Sequence, residues 1–136
     1  TGRLKDMIII RGRNLYPQDL ELVAQRSHKA LQPNACAAFS VEVDGKEELA
    51  VALEVTRSGR HHLDADEVFE VVRRAIGEHS GVALHWIGLV QPNGIPRTSS
   101  GKVMRRACRQ RHLSGELSLL AEWRADARDE PQATAA

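Results

Sequence analysis

Two runs of alternating side chains face each other across a short turn. Ala37, Phe39, Val41 and Val43 fall on one side of residues 36–43, and Leu49, Val51, Leu53 and Val55 repeat the pattern after Asp44-Gly45-Lys46. Period-two alternation around an Asp-Gly turn is the pattern of an antiparallel hairpin. Such a hairpin needs a layer to cover it, and helical spacing appears on both flanks. Leu20, Val23, Ala24, Ser27 and Leu31 recur at helical intervals after Pro17, which suits a first helical turn, and Pro33 ends the run. Asp19 and Glu21 complement that helix N-terminus. Val68, Val72, Ala75, Ile76 and His79 mark a second helix, between Asp64 as N-cap with Glu67 in the capping-box position and Gly81 as the stop. The polar residues 56–63 read as a loop and residues 82–90 as a third strand. Val103 to Leu113 reads as a third helix with Met104, Ala107 and Cys108 inward. Leu117, Leu119, Leu120 and Trp123 suggest one more short amphipathic turn. At the front, Met7–Ile10 and Leu15-Tyr16 make two short strands about Arg11-Gly12-Arg13-Asn14. The expected fold is α+β, a small three-stranded sheet covered by helices, with a short N-terminal hairpin.

Charge and composition remove several function classes. Nineteen basic and 18 acidic residues leave a net charge of +1, too little to draw a nucleic acid by field alone. The basic cluster Arg105, Arg106, Arg109 and Arg111 lacks interleaved aromatics, so no nucleic-acid partner is expected. No apolar run approaches the roughly 20 residues that span a bilayer, so no membrane insertion is expected. No signal peptide is legible, and the cytoplasm is the expected location. Cys36 and Cys108 match no metal or redox spacing and read as buried free thiols in a reducing compartment. The histidines form no ligand constellation, and no metal site is expected on this chain. The chain opens at Thr1 and enters a strand almost at once, which reads as a segment of a longer protein. Residues 1–124 read as one domain, and 125–136, rich in Ala, Asp, Arg and Glu, as a disordered tail or linker.

One loop breaks the apolar pattern. Gln91 to Lys102 holds two prolines, two glycines and the hydroxyl run Thr98-Ser99-Ser100, and closes on Gly101-Lys102. Hydroxyls beside a helix N-terminus, with a compact ammonium, suit a phosphate or carboxylate. The leading glycine of a nucleotide P-loop is absent. The alternative is a capped helix start with an exposed lysine. Gly2-Arg3-Leu4-Lys5-Asp6 and the following Arg11–Asn14 turn read on residue chemistry alone as a charged linker entering a turn.

Two segments carry a family resemblance. Residues 2–21, GRLKDMIIIRGRNLYPQDLE, resemble the entry to the C-terminal domain of the adenylate-forming superfamily, which includes acyl-CoA synthetases, luciferases and peptide-synthetase adenylation domains. Residues 95–109, IPRTSSGKVMRRACR, resemble its terminal catalytic-lysine motif. Ile8–Asn14 with Tyr16-Pro17-Gln18-Asp19, Ala37–Glu42 and Arg105–Arg109 are more narrowly similar to the fatty acyl-AMP ligase branch. The likeness runs from residue 1 to about 120, and departs at Arg97, where the family more often has lysine, and at Leu15, where many relatives have histidine.

The resemblance implies two half-reactions. A fatty acid carboxylate attacks the α-phosphate of ATP to give acyl-AMP and pyrophosphate, and a carrier-protein thiol then takes the acyl group. Lys102 matches the catalytic lysine, Thr98, Ser99, Ser100 and Gly101 the adenylate loop, and Lys5 the hinge of a domain rotation. Arg11, Gly12, Arg13 and Asn14 match the turn that approaches the site for thiol transfer. The implied partners are the N-terminal domain of the same enzyme, which would hold most of the ATP and Mg²⁺ site, an acyl carrier protein of polyketide or lipopeptide synthesis, and the fatty acid. The fragment alone is expected to be inactive. The same domain of a fatty acyl-CoA ligase, or a non-catalytic module docking a carrier protein, remains open.

Overall fold

The alternating hairpin forms and makes one side of a larger sheet. In chain order the elements are β1 (Ile8–Ile10), β2 (Arg13–Leu15), α1 (Pro17–Gln25), β3 (Leu31–Val43), β4 (Lys46–Val55), α2 (Ala65–Ser80), β5 (Leu84–Val90), α3 (Arg105–Ser114) and β6 (Leu119–Arg124), with a 3-10 turn at Gly59–His62. These come from a computed structural model that describes residues 7–125. The main sheet has the order β3-β4-β5-β6, and β1-β2 forms a separate two-stranded hairpin. β3 and β4 are antiparallel, β4 and β5 parallel through the α2 crossover, and β5 and β6 antiparallel.

Alternation sorts β4 between two cores. Leu49, Val51, Leu53 and Val55 pack with Leu20 and Ala24 of α1, Val68, Val72 and Ile76 of α2, and Ile8, Ile10 and Leu15 of the hairpin. Ala50 and Ala52 turn to the other face, with Ala37, Phe39, Trp86 and Cys108 of α3. A sheet covered on both faces reads as continuous apolar strand, as β5 does over all of Leu84–Val90. Asp64 caps α2 by accepting from the Glu67 N–H, but the Glu67 carboxylate reaches His28 instead of closing a capping box. Cys36 and Cys108 are buried free thiols; burial raises both, Cys108 to about 12.

The structure also departs from the expected elements at four further points. The sheet has four strands, because Leu119–Arg124 pairs with β5 where an amphipathic turn was expected. Leu31 belongs to β3, and α1 stops at Gln25. β3 therefore runs through Pro33, which is tolerated because β3 is an edge strand whose register breaks between Leu31 and Cys36. On α2, Phe69 is buried while His79 is exposed. The third helix starts at Arg105, which leaves Met104 41% exposed.

Trp86 fills the small-residue face. Its ring lies over Gly88, where an added Cβ would come within 2.1 Å of it, and its indole N–H donates to Glu122 at 2.8 Å. Gly88→Ala should cost about 1–3 kcal/mol by denaturant titration, because a fully buried ring must move. His112 packs on the same indole with ring centroids 4.0 Å apart. Burial, then the nearby Arg124 guanidinium, hold His112 below the ordinary histidine range. The unfolded chain therefore takes up this proton first, and stability should fall as pH drops below about 6.5. His112→Phe should remove that part of the slope in denaturation curves taken across pH 7 to 5.

Candidate functional site

The break in the apolar pattern becomes a stitched turn. Arg97 and Val103 form an antiparallel bridge, and the Thr98 N–H donates to the Lys102 carbonyl at 2.8 Å. The Lys102 N–H donates back to the Thr98 hydroxyl at 3.1 Å, and the Gly101 N–H to the Thr98 carbonyl at 2.9 Å. The Thr98 and Ser100 hydroxyls lie 3.1 Å apart. Gly101 sits at φ 92°, a conformation that L side chains rarely adopt. Lys102 is exposed on this turn, its backbone bonded and its ammonium at the end of a flexible stem. The alternative of a hydroxyl-capped helix start does not form: the N-cap is Met104, without a side-chain cap, and Thr98 closes the turn instead.

The base of the loop is tied to the sheet. The Met104 N–H donates to the Pro96 carbonyl at 2.9 Å, and Ile95 is buried beneath it. Glu54 of β4 accepts from Arg97 at 2.7 Å and from the Asn93 N–H at 2.8 Å. Past the loop, Arg105 makes a two-point contact with Glu21 of α1 at 2.6 and 2.9 Å, and Glu21 also accepts from the Ala38 N–H of β3. Arg109 donates to the Ser40 carbonyl. Half of the basic cluster is thus spent on the fold. Beside the loop, a recess of about 700 Å³ includes Arg57, Arg97, Asn93 and Gly101 in its walls.

The other candidate segment lies elsewhere. Ile10 pairs with Arg13 across Arg11-Gly12, whose φ angles of 50° and 80° are both positive, as a two-residue type I′ turn demands. Arg11 reaches Glu48 of β4 at 3.0 and 3.2 Å, and Arg13 donates to the Ser80 carbonyl at 3.4 Å. Asn14 is exposed, and Arg13, Asn14 and Tyr16 help line a recess of about 310 Å³. The two segments are not brought together. Their anchors, Glu48 and Glu54, stand about 20 Å apart along β4 at roughly 3.3 Å per residue. Lys5 lies outside the described residues, as does all of the tail after Ala125.

A family model for the Disco-interacting protein 2-like AMP domain matches residues 5–122. The chain belongs to this family. It is 45% identical over 125 residues to the medium-chain-fatty-acid–[acyl-carrier-protein] ligase JamA of Moorena producens, covering 92% of this chain and 21% of that one. It is 40% identical over 137 residues to the long-chain-fatty-acid–AMP ligase FadD32 of Mycolicibacterium smegmatis, covering 86% of this chain and 22% of that one. A solved fatty acyl-adenylate ligase from Legionella pneumophila, in complex with acyl adenylate and pyrophosphate, matches at TM-score 0.64 and 26% identity over 87% of this chain and 23% of that one. The resemblance to fatty acyl-AMP ligases read from the two motifs therefore holds, and the chain's relatives are adenylate-forming ligases. The chain spans about a fifth of the length of the curated relatives it matches.

Two anchoring carboxylates, Glu48 and Glu54, carry no role in the sequence analysis, and Glu21, expected to complement the start of α1, instead holds Arg105 and the Ala38 N–H. Glu54 carried a signal: it follows Ala50 and Ala52 on an inward row, where a carboxylate needs partners. Thr98→Val keeps the β-branched shape and deletes the hydroxyl that Lys102 donates to. It should speed exchange of the Lys102 amide while changing global stability by less than about 0.5 kcal/mol, as read by hydrogen exchange and denaturation.

Proposed function

We propose that residues 1–124 are the mobile C-terminal domain of a fatty acyl-AMP ligase, and that Lys102 is its catalytic lysine. The observation that carries this reading is the Lys102 turn: an exposed ammonium on a backbone fixed by Thr98 and Gly101, at the open end of the sheet. In the first half-reaction a carboxylate oxygen bonds to the α-phosphorus of ATP, and the bond to pyrophosphate breaks. Negative charge gathers where carboxylate and phosphate meet, and an ammonium placed there lowers the barrier electrostatically. Thr98, Ser99, Ser100 and Gly101 form the loop that presents it. In the second half-reaction a phosphopantetheine thiol attacks the acyl carbon and AMP leaves. The acyl-carrier-protein ligase named among the relatives supports a carrier protein as thiol donor.

The arrangement of the two segments supports a division of labour. The anchors of the two segments stand about 20 Å apart along β4, at roughly 3.3 Å per residue, which supports one segment replacing the other at the reacting centre by rotation of the domain. In this reading Lys5 is the hinge, and Arg11, Gly12, Arg13 and Asn14 form the face presented during thiol transfer. The acyl site and most of the ATP contacts belong to the N-terminal domain of the same enzyme. In the same reading Mg²⁺ is held there too. The fragment by itself should not turn over.

In the intact ligase, Lys102→Ala should slow adenylation by about 10²–10³-fold, the scale of losing one preorganised electrostatic contact. Transfer from supplied acyl-AMP should be spared. Adenylation at the unmodified rate, followed as pyrophosphate release, would remove Lys102 from the chemistry.

A further inference from the structure

Glu54 is a buried carboxylate that the reaction does not use. It closes the inward row Ala50-Ala52-Glu54 of β4 and is only 4% exposed. A carboxylate there is costly unless its oxygens are occupied. Both are: one accepts from the Arg97 guanidinium at 2.7 Å, the other from the Asn93 N–H at 2.8 Å. Bonds to an ionised acceptor are short and strong, and partial burial of Arg97 protects this one from screening. Its two partners both lie on the lysine loop. Asn93, at φ 66°, sits in the tight turn closed by the Gly94 N–H on Gln91, and Arg97 pairs with Val103 at the base of the turn that carries Lys102.

We propose that Glu54 is a positioning residue for Lys102, acting through Arg97. The inference rests on the reading of Lys102 as the catalytic lysine. Arg97 and Val103 are the last bridged pair before the turn, so any tilt of Arg97 is carried to the lysine. With the carboxylate neutralised, Arg97 loses its charged acceptor and the loop base is free to shift. A shift of about 1 Å at a reacting group is enough to lower a rate by a hundredfold. The second half-reaction, served by the opposite end of β4, does not need this anchor. Fixing the loop, and not only stabilising the fold, is what predicts a loss confined to one half-reaction.

The test uses the intact ligase with Glu54→Gln, Arg97→Gln, Arg97→Lys, the double Glu54→Gln/Arg97→Gln and Lys102→Ala, each assayed for both half-reactions. Arg97→Gln alters a partly exposed loop residue and keeps the test usable if Glu54→Gln fails to fold. The expected result is an adenylation kcat about ten- to a hundredfold lower for both single variants, with KM for ATP little changed and transfer from supplied acyl-AMP within about twofold. The double variant should be no worse than the weaker single, and Arg97→Lys should recover most of the activity. Parallel loss of adenylation and transfer would overturn the proposal and leave Glu54 a residue of the fold. Undiminished adenylation in Glu54→Gln and Arg97→Gln beside an impaired Lys102→Ala would overturn the anchor alone. Undiminished adenylation in Lys102→Ala would overturn the catalytic reading, and the anchor with it.

Discussion

Two carboxylates on β4, Glu48 near its start and Glu54 near its end, hold the two segments that carry chemistry-bearing side chains. Arg11 in the N-terminal turn reaches the first, and Arg97 under the lysine loop reaches the second. They differ in strength for a physical reason. Glu48 meets an exposed guanidinium, and such surface pairs contribute little. Glu54 is buried with two donors, so removing one partner strands a charge. The elements around it keep β4 inside the domain. β3 and β5 pair along it, α1 and α2 cover its large aliphatic side chains, and α3 covers its alanines. The result is an interior strand with a firmly seated loop near one end and a lightly tethered turn near the other.

This arrangement suits a domain used on two faces in turn. A site that has to appear and then withdraw is better carried by a rigid body that rotates than by loops that reshape. The Lys102 loop is fixed by its own backbone bonds and by Glu54, and the Arg11-Gly12 turn by its positive φ angles. Under the proposed function, neither end has to refold for the other to act. The buried thiols of Cys36 and Cys108, held protonated by burial, add no reactive group to either end.

Local patterns were legible in the sequence wherever one face or one turn decided the outcome. The central hairpin followed from alternation and Asp44-Gly45, α2 from Asp64 and Gly81, and the front hairpin from the apolar run beside Arg11-Gly12. What escaped depended on partners distant in sequence. Leu119–Arg124 carries leucines and a glutamate, as a helical turn would, and becomes a strand only because β5 offers an open edge. Pro33 looked like a stop and instead lies inside an edge strand with a register break. Glu54 was hidden because the apolar alternation of β4 draws the eye to Leu49, Val51, Leu53 and Val55. The opposite row also points into a core. The motif around Lys102 is readable as a motif, but the bond by which Thr98 closes the turn depends on backbone geometry that the residues alone do not show.

The proposed function is tested most directly by the products that the intact protein forms. The protein would be incubated with ATP, Mg²⁺ and a long-chain fatty acid, with and without coenzyme A, and the products separated by chromatography. The account predicts acyl-AMP that persists in the presence of coenzyme A and is consumed when a phosphopantetheinylated carrier protein is added. Rapid conversion to acyl-CoA would contradict the acyl-AMP ligase reading, and failure to form an adenylate from any fatty acid would contradict the enzymatic reading as a whole.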